Sequence, residues 1–385
     1  MRVMLVCPEP LGHRQPAGIG IRFLEMERVL RAEGHEVRLL SRDDGAFVPE
    51  TLLRVSGESD VAVVQGHVAN DFFAHARPIP TVVDLYDPFI IENLHYFAAR
   101  GGEVYAHDHA TLMNSLLRGD FFLCASAAQR HFYLGALLAA GRVNPLAFER
   151  DPTLASLIAI APFGVPPARE GQARVPVPHV LFGGIYDWYD PLVAIDAVKL
   201  ARASVPSMTL TFTTHPNPEL TPQGKLAAAM KAAKGLDFVR FEPWAPYAQR
   251  GAFYDRFALA LLTFPQSIET DLSMRTRVYD YLWGGLPVVT SSAPGTDELL
   301  AQYGAGLIVD SESPQAFAHA LLSALNDRER LRAGAERFVE EQQWERVLRP
   351  LAEFVRAPRI DAAKEMPDRP PSILERIKRR IGGRA

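Results

Sequence analysis

The chain has 385 residues, 48% of them apolar and 22% charged, with a net charge of −4. That length gives two domains room for a core each, and the acidic balance argues against a nucleic-acid binder. Two cysteines allow neither a disulfide framework nor a paired-cysteine metal site, and no apolar run reaches the ~18 residues of a spanning helix.

The opening apolar run stops at Pro8, too short for a signal peptide, so it predicts a first buried strand in a cytoplasmic protein. Strand Val3–Cys7 is followed by a Gly/Pro loop, Pro8 to Gly20. Ile21–Glu33 has helical spacing and stops at Gly34. Glu36–Leu40, Val61–Val64, Thr81–Asp84 and Asp120–Ala125 read as further strands. Apolar runs separated by helices predict a parallel sheet covered on both faces. Ala161–Pro178 is rich in Pro and Gly, as a linker is. The alternation then restarts with strands at His179–Phe182, Met208–Thr213, Leu236–Phe241, Leu259–Thr263, Pro287–Thr290 and Leu307–Val309. Helices at Pro191–Ala203, Pro314–Leu325 and Arg328–Gln342 fit between or after them. A last helix is expected near Trp344–Val355. The prediction is an α/β chain of two successive halves joined near residue 170.

Beyond Ala357 the chain is rich in Pro and charge. Ile373, Leu374, Ile377 and Ile381 fall on one helical face, with Arg376, Lys378, Arg379 and Arg380 on the other. Residues 370–385 thus read either as a basic amphipathic helix able to lie on an anionic membrane surface or as a solvated tail.

Four segments could carry chemistry. Gly18 and Gly20 open the first helix, where backbone N–H groups can meet an anion. A dinucleotide fingerprint would need a third glycine where Phe23 stands, and a tighter turn. A loop lining a cleft is the better reading, with Arg22 open to a substrate anion or paired with Glu25. Asp84 and Asp87 end a buried strand, where ligands of open α/β sheets bind. They could orient an acceptor hydroxyl or act as a base, or simply start a turn. His67 stands at a similar strand end, and the histidines match no metal spacing. Gly183 and Gly184 end the first strand of the second half and permit close approach of a phosphate or base. Asp190 before Pro191 reads as a helix cap.

The most informative stretch is Glu269–Pro287. Ser273 is expected to cap a helix running to Trp283. Arg275 and Arg277 then sit at its start, where the dipole disfavours cations by ~0.3–1 kcal/mol each. A diphosphate placed there reverses the sign. Asp280, one turn on, could accept from ribose hydroxyls or pair with Arg277.

These residues resemble a known family. The second half is similar to the donor-binding domain of GT-B glycosyltransferases of family four, a retaining, metal-independent class. Pro265-Gln-Ser-Ile-Glu269 and Asp280-Tyr-Leu-Trp-Gly-Gly285-Leu-Pro287-Val carry the resemblance. Asp280 replaces the family's glutamate, and the loop between the two acids is longer than usual. Pro162-Phe-Gly-Val-Pro166 resembles the family's interdomain segment, and the helix around Trp344 its final crossing helix. The Arg and Lys that the family carries after the first donor-domain strand are missing near Gly184.

The resemblance implies two Rossmann-like, doubly wound domains facing a cleft. It assigns 1–170 to the acceptor and 171–342 to the nucleotide sugar, with a crossing helix at 343–356 and a basic tail at 357–385. It implies catalytic roles for Asp87, Glu269 and Arg275. Gly183, Gly184, Glu269, Arg275, Arg277 and Asp280 would hold the donor, and Gly18, Gly20, Arg22, Asp84 and His67 would line the acceptor side. No cofactor or metal is expected. The expected partners are a nucleotide-sugar donor and a glycan or lipid-linked acceptor, in bacterial surface-polysaccharide assembly. A nucleotide-sugar epimerase or hydrolase of the same fold, and a non-catalytic subunit of a polysaccharide machine, are the alternatives.

Overall fold

A computed structural model of the chain describes residues 1–12, 16–42, 47–96, 101–169, 177–214 and 223–365. The basic stretch 370–385, and Asp43 and Asp44, lie outside the described residues.

The first sheet contains β1 (Arg2–Cys7), β2 (Glu36–Ser41), β3 (Val61–Val64), β4 (Thr81–Asp84), β5 (Phe121–Cys124) and β6 (Ile158–Ile160), in the order β2-β1-β3-β4-β5-β6. The second contains β7 (His179–Gly184), β8 (Thr209–Thr214), β9 (Val239–Pro243), β10 (Leu259–Leu262), β11 (Val288–Ser291) and β12 (Gly306–Val309), in the order β12-β11-β10-β7-β8-β9. Every pairing is parallel. The central strands are buried along their whole length, as sheets covered on both faces require. Strand β6 was not anticipated: three residues are too few to show a period. Cys7 and Cys124 are buried free thiols within β1 and β5.

Ligand crevices in such sheets open at the carboxyl ends of the strands, where the strand order reverses. Here that point lies beside β1 in the first sheet and beside β7 in the second, and the loops after these strands face one another.

The join between the halves is packed rather than loose. The N–H of Val165 donates to the Gln342 carbonyl (2.8 Å), and Phe163 meets Trp344 edge-on at 4.7 Å. A Cβ on Gly164 would lie 2.5 Å from the Trp344 ring and 2.9 Å from its Cα. Overpacking of this kind costs about 1–3 kcal/mol. Gly164→Ala should therefore lower the melting temperature by several degrees; an unchanged thermal transition would contradict this packing.

The expected single helix Trp344–Val355 is instead two, Trp344–Val347 and Arg349–Arg356, broken where Pro350 enters the first turn of the second. The second crosses back to the first sheet, stacking Phe354 on Phe121 at 4.9 Å. Residues 357–365 do not begin a free tail. Buried Asp361 pairs with Arg142 and Arg150 at 2.6 Å each, and Lys364 pairs with Asp120 at 2.6 Å. Among the described residues no helix is long and apolar enough to cross a membrane.

Candidate active site

The two domains enclose a cleft of about 280 Å³. Glu9, Gly18, Asp87 and Glu92 stand on the first-domain wall; Tyr186, Trp188, Trp244 and the segment Ser273–Arg277 stand on the second. Asp280 also reaches it.

The helix Gly18–Ala32 points its N-terminus at this cleft. Its N-cap is Ala17, which has no side chain to satisfy the free N–H groups. An anion does meet them, but it is the protein's own: the Glu9 carboxylate accepts from the N–H groups of Ala17 and Gly20. A Cβ on Gly20 would lie 2.8 Å from the Glu9 carboxylate, so a side chain there would push Glu9 aside. Burial raises the Glu9 pKa, and the two N–H bonds oppose the rise. Gly18 faces the second domain, and its Cβ would lie 3.6 Å from Thr276.

Arg22 and Asp84 do not line the cleft. Both are buried, and the guanidinium grips the carboxylate twice, at 2.7 and 3.1 Å. Two more of its donors go to the carbonyls of Ala161 and Pro162, at 2.9 Å each. This pair ties the end of β4 to the start of the interdomain segment. Glu25 pairs with Arg28 rather than Arg22. His67 is also removed from the cleft. It precedes the helix Val68–His75, lies 3.1 Å from Asp108 and stacks on His107 at 4.9 Å. Burial lowers its pKa, with the Asp108 charge opposing.

Asp87 does reach the cleft, together with Glu92 from the short helix Phe89–Glu92, a residue the sequence reading passed over. Both line the cleft and influence each other's titration. Burial, reinforced by the charges of Asp84 and Glu269, raises Asp87 to about 6, with Glu92 opposing. Burial and the neighbouring carboxylates raise Glu92 well above its ordinary value, with Arg275 opposing.

The segment after β10 departs from the expected single helix. Ser267 caps a helix Ile268–Leu272, Ser273 ends it, and a second helix runs Thr276–Trp283. Ser273 is therefore not an N-cap; its hydroxyl donates across the cleft to Glu92 (3.1 Å). Arg275 holds Glu269 in a buried bidentate pair at 2.6 and 2.7 Å. The acid expected on the donor sugar is thus covered by the arginine expected on the diphosphate. Arg275 needs no anion to be stable there, and it faces the cleft with Glu269 behind it.

Arg277 is different. It is only 9% exposed and forms no ion pair with a carboxylate among the described residues. Asp280 pairs instead with Arg250, at 3.4 Å. The Arg277 guanidinium lies over the rings of Trp244 (4.3 Å) and Tyr186 (5.4 Å), and its charge acts on the Tyr186 and Tyr281 hydroxyls. The glycine pair at the end of β7 makes room for it. A Cβ on Gly183, whose φ is +77°, would lie 2.9 Å from Nη1, and one on Gly184 would lie 2.7 Å from Nη2. These glycines therefore admit a cation from the facing helix rather than directly admitting a phosphate. Burial raises the Asp280 pKa, with Arg250 and Arg277 opposing. Asp190 caps the helix Pro191–Ala201 as expected.

Residues 178–327 match the family model of glycosyl transferases group 1. No curated protein matches the chain in sequence. Among solved structures, pneumococcal O-GlcNAc transferase GtfA, in complex with UDP and GlcNAc, is 16% identical with a TM-score of 0.53, over 77% of this chain and 56% of its own. The chain thus spans little more than half of GtfA. HepE from Anabaena, in complex with UDP and glucose, is 15% identical with a TM-score of 0.63, over 92% of this chain and 99% of its own. WaaG, a glycosyltransferase involved in lipopolysaccharide biosynthesis, is 14% identical with a TM-score of 0.61, over 92% and 100%. The protein therefore has the two-domain GT-B fold, and its second half carries a glycosyl transferases group 1 domain.

Proposed function

We propose that this protein transfers a sugar from a nucleoside-diphosphate sugar, held by the second domain, to a hydroxyl of a glycan or lipid-linked acceptor held by the first. One observation carries the reading: Arg277, a buried cation at the cleft whose immediate partners are neutral rings and hydroxyls. Burying a charge that no carboxylate contacts directly is costly, and an incoming diphosphate supplies that contact. The N-terminus of Thr276–Trp283 favours the same charge. Arg277 also answers the departure noted near Gly184. The cation that the family carries after the first donor-domain strand is supplied here from the facing helix.

In this reading Arg277 holds the leaving diphosphate and stabilises the charge that develops on it, with Arg275 beside it, oriented by Glu269. Asp280 takes the ribose hydroxyls and Asp87 faces the acceptor. A guanidinium and a helix end already stand where charge develops, so transfer proceeds without a metal. Retention follows the family resemblance. The UDP held by GtfA and HepE supports a nucleotide-sugar donor, and the part of WaaG in lipopolysaccharide biosynthesis supports a place in bacterial cell-surface polysaccharide assembly. That work would be done in the cytoplasm, with residues 370–385 resting on the inner face of the membrane.

A thermal-shift panel of UDP-, GDP- and dTDP-sugars tests the reading. A bound donor at a hundred times its Kd stabilises the native state by about 2.7 kcal/mol. One nucleotide series should raise the melting temperature; no shift with any of them would overturn the assignment.

A further inference from the structure

Gln129 stands in the first turn of the helix Ala127–Ala139 and is wholly buried. Its amide is fully engaged. Oε1 accepts from the N–H of Ala125 (2.7 Å), which fixes the end of the amide that is nitrogen. Nε2 carries two hydrogens. One goes to the Tyr86 carbonyl (3.0 Å), in the residue before Asp87. The other goes to the Leu272 carbonyl (2.8 Å), in the residue before Ser273. A single nitrogen thus ties the loop that carries Asp87, on one wall of the cleft, to the start of Ser273–Arg277 on the other. The side chain is anchored from behind, where Ser126 caps the helix by accepting from the Gln129 N–H (3.1 Å). The same helix packs on Ile268–Leu272 and Pro294–Tyr303 of the second domain. Next to Leu272, Ser273 adds its bond across the cleft to Glu92. Helix capping accounts for the backbone N–H of Gln129. It does not account for Nε2: a cap supplies acceptors, and both Nε2 bonds leave the helix, one of them for the other domain.

We propose that Gln129 is a positioning residue for the transfer: it latches the two walls of the cleft in one register, so that the Asp87 loop meets the arginines that hold the leaving diphosphate. This rests on the glycosyl-transfer reading above. The residues assigned to the donor, Arg275, Arg277 and Asp280, all belong to the second domain, so the donor binds whether the latch is made or broken. Transfer needs both walls, because donor and acceptor are carried by different domains and a misplacement of about 1 Å can cost on the order of a hundredfold in rate. Opening the cleft breaks the bond to Leu272 and keeps the bond to Tyr86, since Tyr86 and Gln129 share the first domain. Closing remakes it. Other side chains do not replace the amide. Asparagine is one methylene short, an ionised glutamate has no hydrogen to give, and methionine fills the space without a donor.

The test uses the full-length protein and two readouts. Cys7 and Cys124 are buried, so spin labels attach to introduced cysteines. Leu138→Cys lies on the Gln129 helix and Met230→Cys on the helix Gly224–Ala232 of the second domain, and both positions are exposed. Pulsed electron-spin resonance then reads the distance between the domains, with and without UDP. Gln129→Met should broaden that distance distribution relative to wild type in either state. The second readout is UDP release from UDP-glucose with water as acceptor, beside UDP affinity by calorimetry. In Gln129→Met kcat should fall about tenfold or more, because the first-domain wall is out of place, while the Kd for UDP stays within about threefold. Gln129→Asn keeps the amide but falls short of Leu272, so it should show the same losses in smaller measure; it carries the test if the methionine variant does not fold. The proposal is overturned if the variants keep the wild-type distance distribution. It is equally overturned if UDP affinity falls by the same factor as kcat, because the donor site itself would then be distorted. A wild type that neither binds nor releases UDP would defeat the glycosyl-transfer reading, while the distances without ligand would still decide whether Gln129 holds the walls together.

Discussion

Arg277→Ala is expected to weaken nucleoside-diphosphate binding by about a hundredfold or more, and to do so without unfolding the protein. A charge-assisted contact to phosphate in a dry site is worth about 2–3 kcal/mol, and each 1.4 kcal/mol is a factor of ten. Stability should follow the opposite logic. Among the described residues Arg277 is a buried cation in no ion pair, so removing it relieves a desolvation cost that the rings and the Asp280 charge offset in part. Arg277→Met, which fills the space between Tyr186 and Trp244, should melt no lower than wild type and bind as poorly as the alanine variant. Arg277→Lys keeps the charge and loses the planar fork that lies between the rings, so intermediate affinity is expected. Calorimetry with UDP across the three variants checks this. Affinity that survives Arg277→Ala would remove the observation on which the proposed function stands.

The second large effect is on folding. Arg22→Ala leaves the Asp84 carboxylate buried without its counter-charge, and leaves the carbonyls of Ala161 and Pro162 without donors. Breaking a buried pair from one side costs about 3–5 kcal/mol, against a total stability on the order of 5–15 kcal/mol for a typical domain. Replacing both partners should cost far less than the sum of the two single changes. Arg22→Met with Asp84→Leu removes both charges and fills the space. Urea unfolding of the two single variants and the double variant measures the coupling. A single-variant loss under about 1 kcal/mol would show that the pair is not what holds the end of β4 to the interdomain segment.

Local physics was legible in the sequence wherever a pattern repeats. Strands of a doubly covered parallel sheet are continuous apolar runs, so β1, β3, β7 and β10 could be read directly. The cap at Asp190 could be read as well, because its partners are the next residues along. Partners far apart in sequence left no such trace. Nothing periodic links Arg22 to Asp84, and the turn that brings Arg275 back onto Glu269 is set by a helix break at Ser273. Ser273 looks like a cap because serine often is one; here it closes the turn before. Glu92 was missed because the four-residue helix that carries it has no period to detect. Glu9 did leave a signal. A long helix beginning after Ala17, a poor capping residue, needs an acceptor from elsewhere, and the only acid in the preceding loop is Glu9.

The docking of Asp361 onto Arg142 and Arg150 bears on how the molecule is made. The first domain takes in residues that come before and after the second sheet, and these contacts span 219 and 211 residues. At roughly 5–20 residues per second, a ribosome delivers the closing piece on the order of 10–40 s after the arginines emerge. Until then Arg142 has no carboxylate from Asp361, and the face of Phe121 that meets Phe354 is open. The nascent first sheet must therefore wait, uncovered, for a segment that follows the whole of the second sheet.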